Sequence, residues 1–336
     1  MDRIRRGGAH LDLPRWHLVC EGWFSPAAVS CGEGRVDLLG RSVRGELLHR
    51  RWHGGEWGPI ASFGVPGAGG VPLEWPVSAC STGPDEIQIV ARGAEGELLH
   101  ARLRNPEGIG FECIGCPAGI EGTPMGLAGA PSACSRERGR MDVFATGSAG
   151  ALLHATWDEG GFGEFESLGG IDTAQGRIEP VASAIAACAC GPRAMGVLTR
   201  GPGGDVLLKW WNGTRWSGFE SLGAPQEPDA TYPAVQRAVR LASAPIGCGL
   251  PAPRLDVFAR GPRGDLLHTW WEGTGWSGFR SLGWPSSAHT GARIPLTGIS
   301  MTCAWAEDRL HVLARGADGN LHGISLPGHA PLGATG

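Results

Sequence analysis

A tryptophan-rich phrase recurs along this chain, and its recurrence restricts the available folds more than any other property. "AMGVLTRGPGGDVLLKWWNGTRWSGFESLGAP" (194–225) and "RLDVFARGPRGDLLHTWWEGTGWSGFRSLGWP" (254–285) are near copies. Aligned on Gly261, the equivalent positions are Ser42, Gly93, Gly147, Gly201 and Gly316, and the six markers are spaced 51, 54, 54, 60 and 55 residues apart. The other copies are "RVDLLGRSVRGELLHRRWHGGEWGPIASFG", "EIQIVARGAEGELLHARLRNPEGIGFECIG", "RMDVFATGSAGALLHATWDEGGFGEFESLGG" and the truncated "RLHVLARGADGNLHGISL".

Each copy has the pattern of strands. "LDVFA" and "DLLHTWW" are short runs of Val, Leu, Phe and Trp around "RGPRG", a turn whose glycines accept positive φ. "WSGFRSLG" follows a second turn, and a small apolar run such as "WPVSAC", "GAPSAC" or "ASAIAAC" precedes each copy. Four strands per repeat at this period predict a propeller blade. A helical solenoid is excluded, because no segment keeps a 3.6-residue period over ten residues in every copy. The expected fold is therefore all-β: a six-bladed β-propeller with four-stranded antiparallel blades. The sixth copy lacks its "WSGFxSLG" strand, and "PRWHLVCEGW" (14–23) stands where a fourth strand belongs. An N-terminal strand completing the last blade closes the ring and removes its unpaired edge. The expected layout is one propeller over 14–326, with the closing strand at about 14–23 and tails at 1–13 and 327–336. Its repeats fall at about 24–64, 72–115, 128–169, 180–223, 240–283 and 296–326.

Composition agrees. Among 336 residues, 57 glycines and 25 prolines call for many turns, and 42% hydrophobic content supplies a core. A net charge of -4 without a basic stripe excludes a nucleic-acid partner. No apolar run approaches membrane-spanning length, so no membrane insertion is expected. The first residues lack an apolar signal core, which points to a cytoplasmic protein or one released without a signal peptide. Ten cysteines without a secretory signal are expected to be reduced thiols.

The phrase "LDVFARG…LLHTWW…GWSGF…SLG" resembles the Photorhabdus-type bacterial lectins, whose blades carry LDVF-RG…LWHKWWDG…WSGWESLGG. The resemblance covers residues 14–326 and is strongest in the fourth and fifth repeats. It implies binding of fucose or O-methylated sugars in pockets between blades, with glycans as partners and no cofactor. Physical chemistry is compatible: the apolar face of a sugar stacks on Trp, its hydroxyls pair with charged groups, and inter-blade grooves are concave. The candidate ligand-binding residues are Trp211, Trp216, Glu220 and Arg200 in repeat 4, Trp271, Trp276 and Arg260 in repeat 5, and Trp52 and Trp57 in repeat 1. A Trp at these positions also suits packing between blades, and both roles stay open. Repeat 2 has Leu103 and Ile109 there, and repeat 3 has Trp157 and Phe162. Two or three sugar sites are therefore expected rather than six. Assembly of several rings into a homo-oligomer stays open.

Three further features carry alternatives. His49, His100, His154 and His268 share one position, where repeat 4 has Leu208 and repeat 6 has Gly323. We expect a half-buried His bonded to a neighbouring blade, with a metal-binding ring as the alternative. Cys31, Cys80, Cys134, Cys188, Cys248 and Cys303 place one thiol per blade at the end of the innermost strand. They are expected to be small buried hydrophobes, with a thiol-lined ring for Cu(I) or Zn as the alternative. Cys113 and Cys116 form a lone CxxC. Finally, the insertion at 224–246 carries the only tyrosine, Tyr232, with Asp229, Gln236, Arg237 and Arg240. Its "AVQRAVRLA" suits a short helix that would cap one mouth of the ring and turn the scaffold into an enzyme. No paired carboxylates, nucleophile motif or HExxH accompanies it, so we assign no catalytic residue and expect a binding protein ahead of an enzyme.

Overall fold

A computed structural model describes residues 16–21, 24–32, 34–53, 56–65, 73, 75–104, 109–117, 125–172, 176–228, 236–250, 254–271, 273–306 and 309–327, with the side chains of 21, 24, 25, 228, 250 and 300–306 left aside. Within them the "LDVFAR" phrase forms the second strand of each sheet. Arg254–Arg260 is buried at every position except its two ends, and Arg35–Arg41 and Glu86–Arg92 repeat that pattern. Burial on both faces means that each sheet is sandwiched between two others, which explains why the phrase is continuously apolar rather than alternating.

Six such sheets are present. Blade 1 runs Phe24–Val29, Arg35–Arg41, Leu47–His53 and an interrupted outer strand, Glu56–Trp57 and Ala61–Ser62. Blade 2 runs Ser78–Gly83, Glu86–Arg92, Leu98–Leu103 and Glu112–Gly115. Blade 3 runs Ser132–Cys134, Met141–Thr146, Leu152–Asp158 and the interrupted pair Gly161–Phe162 and Glu166–Ser167. Blade 4 runs Ile185–Ala189, Met195–Arg200, Val206–Trp211 and Trp216–Ser221. Blade 5 runs Ile246–Leu250, Arg254–Arg260, Leu266–Trp271 and Arg280–Ser281. Blade 6 runs Leu296–Ala306, Arg309–Gly316 and Asn320–Pro327, and Trp16–Glu21 supplies its outer strand, pairing from Trp16↔Ile324 to Glu21↔Asn320. Each innermost strand touches the next around the axis, and that of blade 6 touches that of blade 1. The ring is closed, and the N-terminal strand closes it.

The repeated "RG..G" turn stitches the blades together. Its second glycine takes positive φ, as at Gly204 (85°) and Gly264 (75°), which L side chains rarely adopt. The glycine carbonyl then accepts the amide of a residue leading into the next blade: Leu73 on Gly45, Leu127 on Gly96, Val181 on Gly150, Leu241 on Gly204 and Leu296 on Gly264, at 2.7–3.1 Å. The turn sits so close to that chain that a Cβ on Gly264 would lie 2.9 Å from the Pro295 side chain. The motif's Arg grips the same segment: Arg41, Arg92 and Arg200 donate to the carbonyls of Leu73, Leu127 and Leu241.

Apolar residues gather between blades. Among the described residues there are six buried clusters, each shared by two adjacent blades, including one between blades 6 and 1 that joins Val19, Cys20, Leu313 and Leu321 to Ala28, Val36 and Leu38. The outer aromatic residues of one blade pack onto the blade before it: Trp52 and Trp57 onto blade 6, Trp157 and Phe162 onto blade 2, Trp211 and Trp216 onto blade 3, Trp271 and Trp276 onto blade 4. Leu103 and Ile109 fill the same place between blades 1 and 2.

The helix expected in "AVQRAVRLA" is replaced by an antiparallel hairpin of Gln226–Pro228 and Gln236–Ala238, and no helix occurs among the described residues. All three residues of the second hairpin strand are exposed, so no apolar face is present to dock a helix. The hairpin is anchored instead by Glu227–Arg263 (2.8 Å) and by the Leu241 amide on Gly204. Tyr232 and Asp229 lie outside the described residues.

Candidate functional site

Blades 4 and 5 carry the same "WW" doublet, and successive strand residues face opposite sides of the sheet. The second Trp of each pair, Trp211 and Trp271, faces the preceding blade. The first, Trp210 and Trp270, faces the other way, and here the two blades differ. Trp270 is only 3% exposed. Arg254 and Arg280 lie over its ring, at 5.7 and 5.1 Å from the centroid. Blade 4 has Ala194 and Glu220 at those two positions. Trp210 is half-buried and borders an open cavity of about 380 Å³, with Asn212, Arg215, Trp216, Ser217, Gly218 and Glu220.

The cavity is built on a rigid hairpin. Asn212 Oδ1 accepts the amides of Thr214 and Arg215 and the Thr214 hydroxyl, which fixes the turn around Gly213 (φ 96°). The Trp210 amide donates to Ser217 Oγ at 2.9 Å, holding the outer strand against the third. Glu220 pairs across the sheet with Leu208. In blades 2 and 3 the corresponding Glu112 and Glu166 are each engaged by a histidine, His100 and His154, at 2.7 Å. Leu208 offers no such partner, and among the described residues the exposed Glu220 carboxylate has none. The cavity thus sets two indole rings beside a carboxylate acceptor and guanidinium and amide donors.

The predicted site residues separate on this geometry. Trp216 and Glu220 line the cavity. Trp211 does not, and its Nε1 is buried without a partner in the packing against blade 3. Arg200 is committed to the Leu241 carbonyl at 3.1 Å and Arg260 to the Ala242 carbonyl at 2.6 Å. Trp271 and Trp276 contact each other at 5.7 Å between centroids, and Trp52 and Trp57 do so at 5.4 Å, within inter-blade packing. Trp210, Asn212 and Arg215 were not singled out in the sequence. Strand parity offered the signal, because only one Trp of a doublet can face each side.

The repeated histidines bond within their own blade, not to a neighbouring one as expected. His49, His154 and His268 reach Asp37, Asp142 and Asp256 at 2.7–3.0 Å, and His100 reaches Gln88 at 2.8 Å. An arginine completes three of these knots: Arg35, Arg136 and Arg254. Burial pushes the Asp37 carboxyl up, but hydrogen bonds from His49, Arg35 and Arg51 outweigh it and hold the group at about 2. Burial also pulls His268 below its usual value, overriding the Asp256 bond, so its ring is neutral near pH 7. Among the described residues, the neighbouring blade contributes ring contacts, such as Trp216 on His154 at 5.8 Å.

A channel of about 500 Å³ runs along the axis, lined by small and aliphatic residues and cysteines of the inner strands, with Gly298 and Ile299 from blade 6. Cys80, Cys134, Cys188 and Cys248 border it, Cys31 does not, and the Cys303 side chain lies outside the described set. Burial drives the Cys80 and Cys134 thiols well above the ordinary range. Among the described residues no group of three or more His, Cys, Asp or Glu is placed to hold one ion. Among its described residues, the 224–246 insertion lends 243–246 to the channel and none to the Trp210 cavity. No helix among the described residues is long and apolar enough to cross a membrane.

Comparisons with known proteins follow the fold. A repeat of unknown function (DUF346) matches residues 255–291, within blade 5 and the segment after it. No curated protein matches the sequence. Among solved structures, AofleA from Arthrobotrys oligospora is 13% identical with a TM-score of 0.61, over 93% of this chain and 86% of that one. The Aleuria aurantia lectin, a six-bladed propeller described with a fucose recognition mode, is likewise 13% identical at a TM-score of 0.61, over 93% and 99%. The BP39L lectin of Burkholderia pseudomallei is 18% identical at 0.54, over 93% and 98%. This chain is a six-bladed propeller. At such identities the likeness extends to architecture and leaves each pocket to be argued from its own residues.

Proposed function

We propose that this protein binds carbohydrate, and that its principal site is the open Trp210 cavity of blade 4. The supporting observation is the contrast between equivalent tryptophans. Trp270 lies beneath two guanidinium groups, whereas Trp210 borders an open cavity beside Glu220, Arg215 and Asn212. An indole face stacks on the C–H face of a pyranose, and the surrounding acceptor and donors fit adjacent hydroxyls. A rigid turn and a preformed cavity keep the ordering cost of binding low. The sugar class follows from the repeat phrase, which resembles that of Photorhabdus-type lectins, and from fold relatives such as the Aleuria aurantia lectin with its fucose recognition mode. Fucose and O-methylated sugars, which pair an apolar methyl with ring hydroxyls, are the proposed ligands. Differences between blades limit the number of sites to fewer than six.

A glycan array followed by titration calorimetry tests this. The wild-type chain is expected to retain fucosylated or O-methylated glycans. Trp210→Ala and Glu220→Gln should each abolish retention without altering the fold, while Trp276→Ala should preserve it. Silence of the wild-type chain on the array rejects the function. Undiminished binding by Trp210→Ala moves the site elsewhere.

A further inference from the structure

Blade 4 departs from the other blades at its inner strands, and there it carries a second thiol. Blades 1, 3 and 5 place a buried acid on the second strand, Asp37, Asp142 and Asp256, and blade 2 places Gln88. Blade 4 has Gly196 in that position, paired with Cys188. With no side chain opposite, the Cys188 thiol donates to the Gly196 carbonyl at 3.6 Å. Two residues on, just past the end of the strand, Cys190 packs in the same inter-blade cluster as Cys188 and comes within side-chain reach of it. Both thiols lie in the cluster between blades 4 and 5, Cys188 buried and Cys190 half-buried. The next inner strand covers them with glycine: a Cβ on Gly247 would stand 3.1 Å from Cys188 Sγ, and one on Gly249 would overlap the Ala189 and Cys190 backbone. Cys188 also borders the axial channel, which gives a small ion a way in.

We propose that Cys188 and Cys190 form a two-sulfur site for a single soft monovalent cation, Cu(I), reached through the central channel. Ligand number selects the ion. Zinc takes four ligands, and among the described residues no third His, Cys, Asp or Glu joins the pair. Hard cations demand oxygen donors, whereas thiolates favour Cu(I), which is satisfied by few ligands. Binding is a proton-for-metal exchange without change of oxidation state. Each S–H proton leaves to water, two S–Cu bonds form, and the hydrogen bond from the Cys188 thiol to the Gly196 carbonyl is lost. Displacing two protons makes affinity fall about 100-fold per pH unit on acidification. The site is separate from the sugar cavity and stands or falls independently of it.

The test uses the full chain with the exposed pair removed by Cys113→Ser and Cys116→Ser, titrated without oxygen with Cu(I) against a chromophoric chelator. One equivalent is expected, with two sulfur neighbours by X-ray absorption. Cys190→Ser, at a half-buried position that tolerates a hydroxyl, should weaken binding at least 100-fold. Cys80→Ser, in a blade with one thiol in this row, should leave it unchanged. Absence of binding by the parent, three or more sulfur neighbours, or unchanged affinity in Cys190→Ser each overturns the assignment. Should Cys188→Ser fail to fold, Cys190→Ser alone decides.

Discussion

Blade 4 dispenses with the buried acid–histidine knot that blades 1, 3 and 5 keep, and this natural contrast predicts a strongly non-additive mutant series in blade 5. Asp256 is fully buried and accepts Arg254 through 2.7 and 2.9 Å bonds and His268 through a 2.8 Å bond. Asp256→Ala leaves a guanidinium and a 2%-exposed imidazole without their acceptor. Breaking a buried charged network from one side costs about 3–5 kcal/mol. The triple variant Arg254→Ala, Asp256→Gly, His268→Leu copies Ala194, Gly196 and Leu208 of blade 4. Glycine is needed with that leucine, because a Cβ on Gly196 would meet Leu208 Cδ1 at 2.8 Å. Its cost is about 1 kcal/mol for a glycine within a strand and about 1 kcal/mol for the lost stacking of His268 on Phe258. The triple variant is therefore expected to be more stable than the single one by about 1–3 kcal/mol. Urea unfolding followed by tryptophan fluorescence measures both. A triple variant as unstable as Asp256→Ala, or a single variant costing under about 1 kcal/mol, refutes the reasoning.

Further outcomes test other parts of the structure. Burial, reinforced by the nearby His17, holds His311 at about 4, so blade 6 favours its neutral form. Its contribution is intact above the unfolded value of 6.5 and is lost as pH falls through 4, about 3 kcal/mol in all. Hydrogen exchange should therefore show the Trp16–Glu21 strand opening more readily at pH 4.5 than at pH 7.5, and equal protection at both counts against the assignment. The Asp37 carboxyl, held at about 2 against 3.8 when free, adds stability present above pH 4 and lost towards pH 2, about 2 kcal/mol. An acid-unfolding curve unchanged by Asp37→Asn contradicts it. Arg280→Glu removes one cover from Trp270 and sets a carboxylate where blade 4 has Glu220. Calorimetry should then show a second sugar equivalent, and unchanged stoichiometry argues against the covered-ring explanation. Gly249→Ala forces the inner strands of blades 4 and 5 apart and should destabilise the ring by at least about 2 kcal/mol, read from the urea midpoint.

The architecture was readable because a blade is specified locally. Short apolar runs at a fixed period, glycines at fixed turn positions and a missing last strand together define the sheet, the count and the closure. The site was less readable because it depends on what lies over a side chain. Whether Trp210 or Trp270 is open depends on residues on two other strands, Arg254 and Arg280 against Ala194 and Glu220. The motif arginines looked like ligand contacts because Arg pairs well with hydroxyls, yet in blades 1, 2 and 4 they grip backbone carbonyls between blades. The histidine partner was in the phrase itself. Asp37 and His49, Asp142 and His154, and Asp256 and His268 are each twelve residues apart, and blade 4 loses both members together. The hairpin at 226–238 was misjudged because helix propensity counts little for a segment with no apolar face to bury.

Because the pairing of Trp16 with Ile324 joins segments some three hundred residues apart, the ring has a seam. During synthesis five blades acquire their outer strands from nearby chain, while the Trp16–Glu21 strand, made earlier, waits for the sixth blade. Until then the seam leaves Val19, Cys20 and Leu38 on one side, and Leu313 and Leu321 on the other, uncovered to solvent and to other nascent chains. Joining distant ends adds only a slowly growing entropic penalty, so the finished seam need not be weak, but it forms last. A circular permutant opened between blades 1 and 2, with the old ends linked, would build the sixth blade from continuous chain and should reach its native state faster at little change in equilibrium stability.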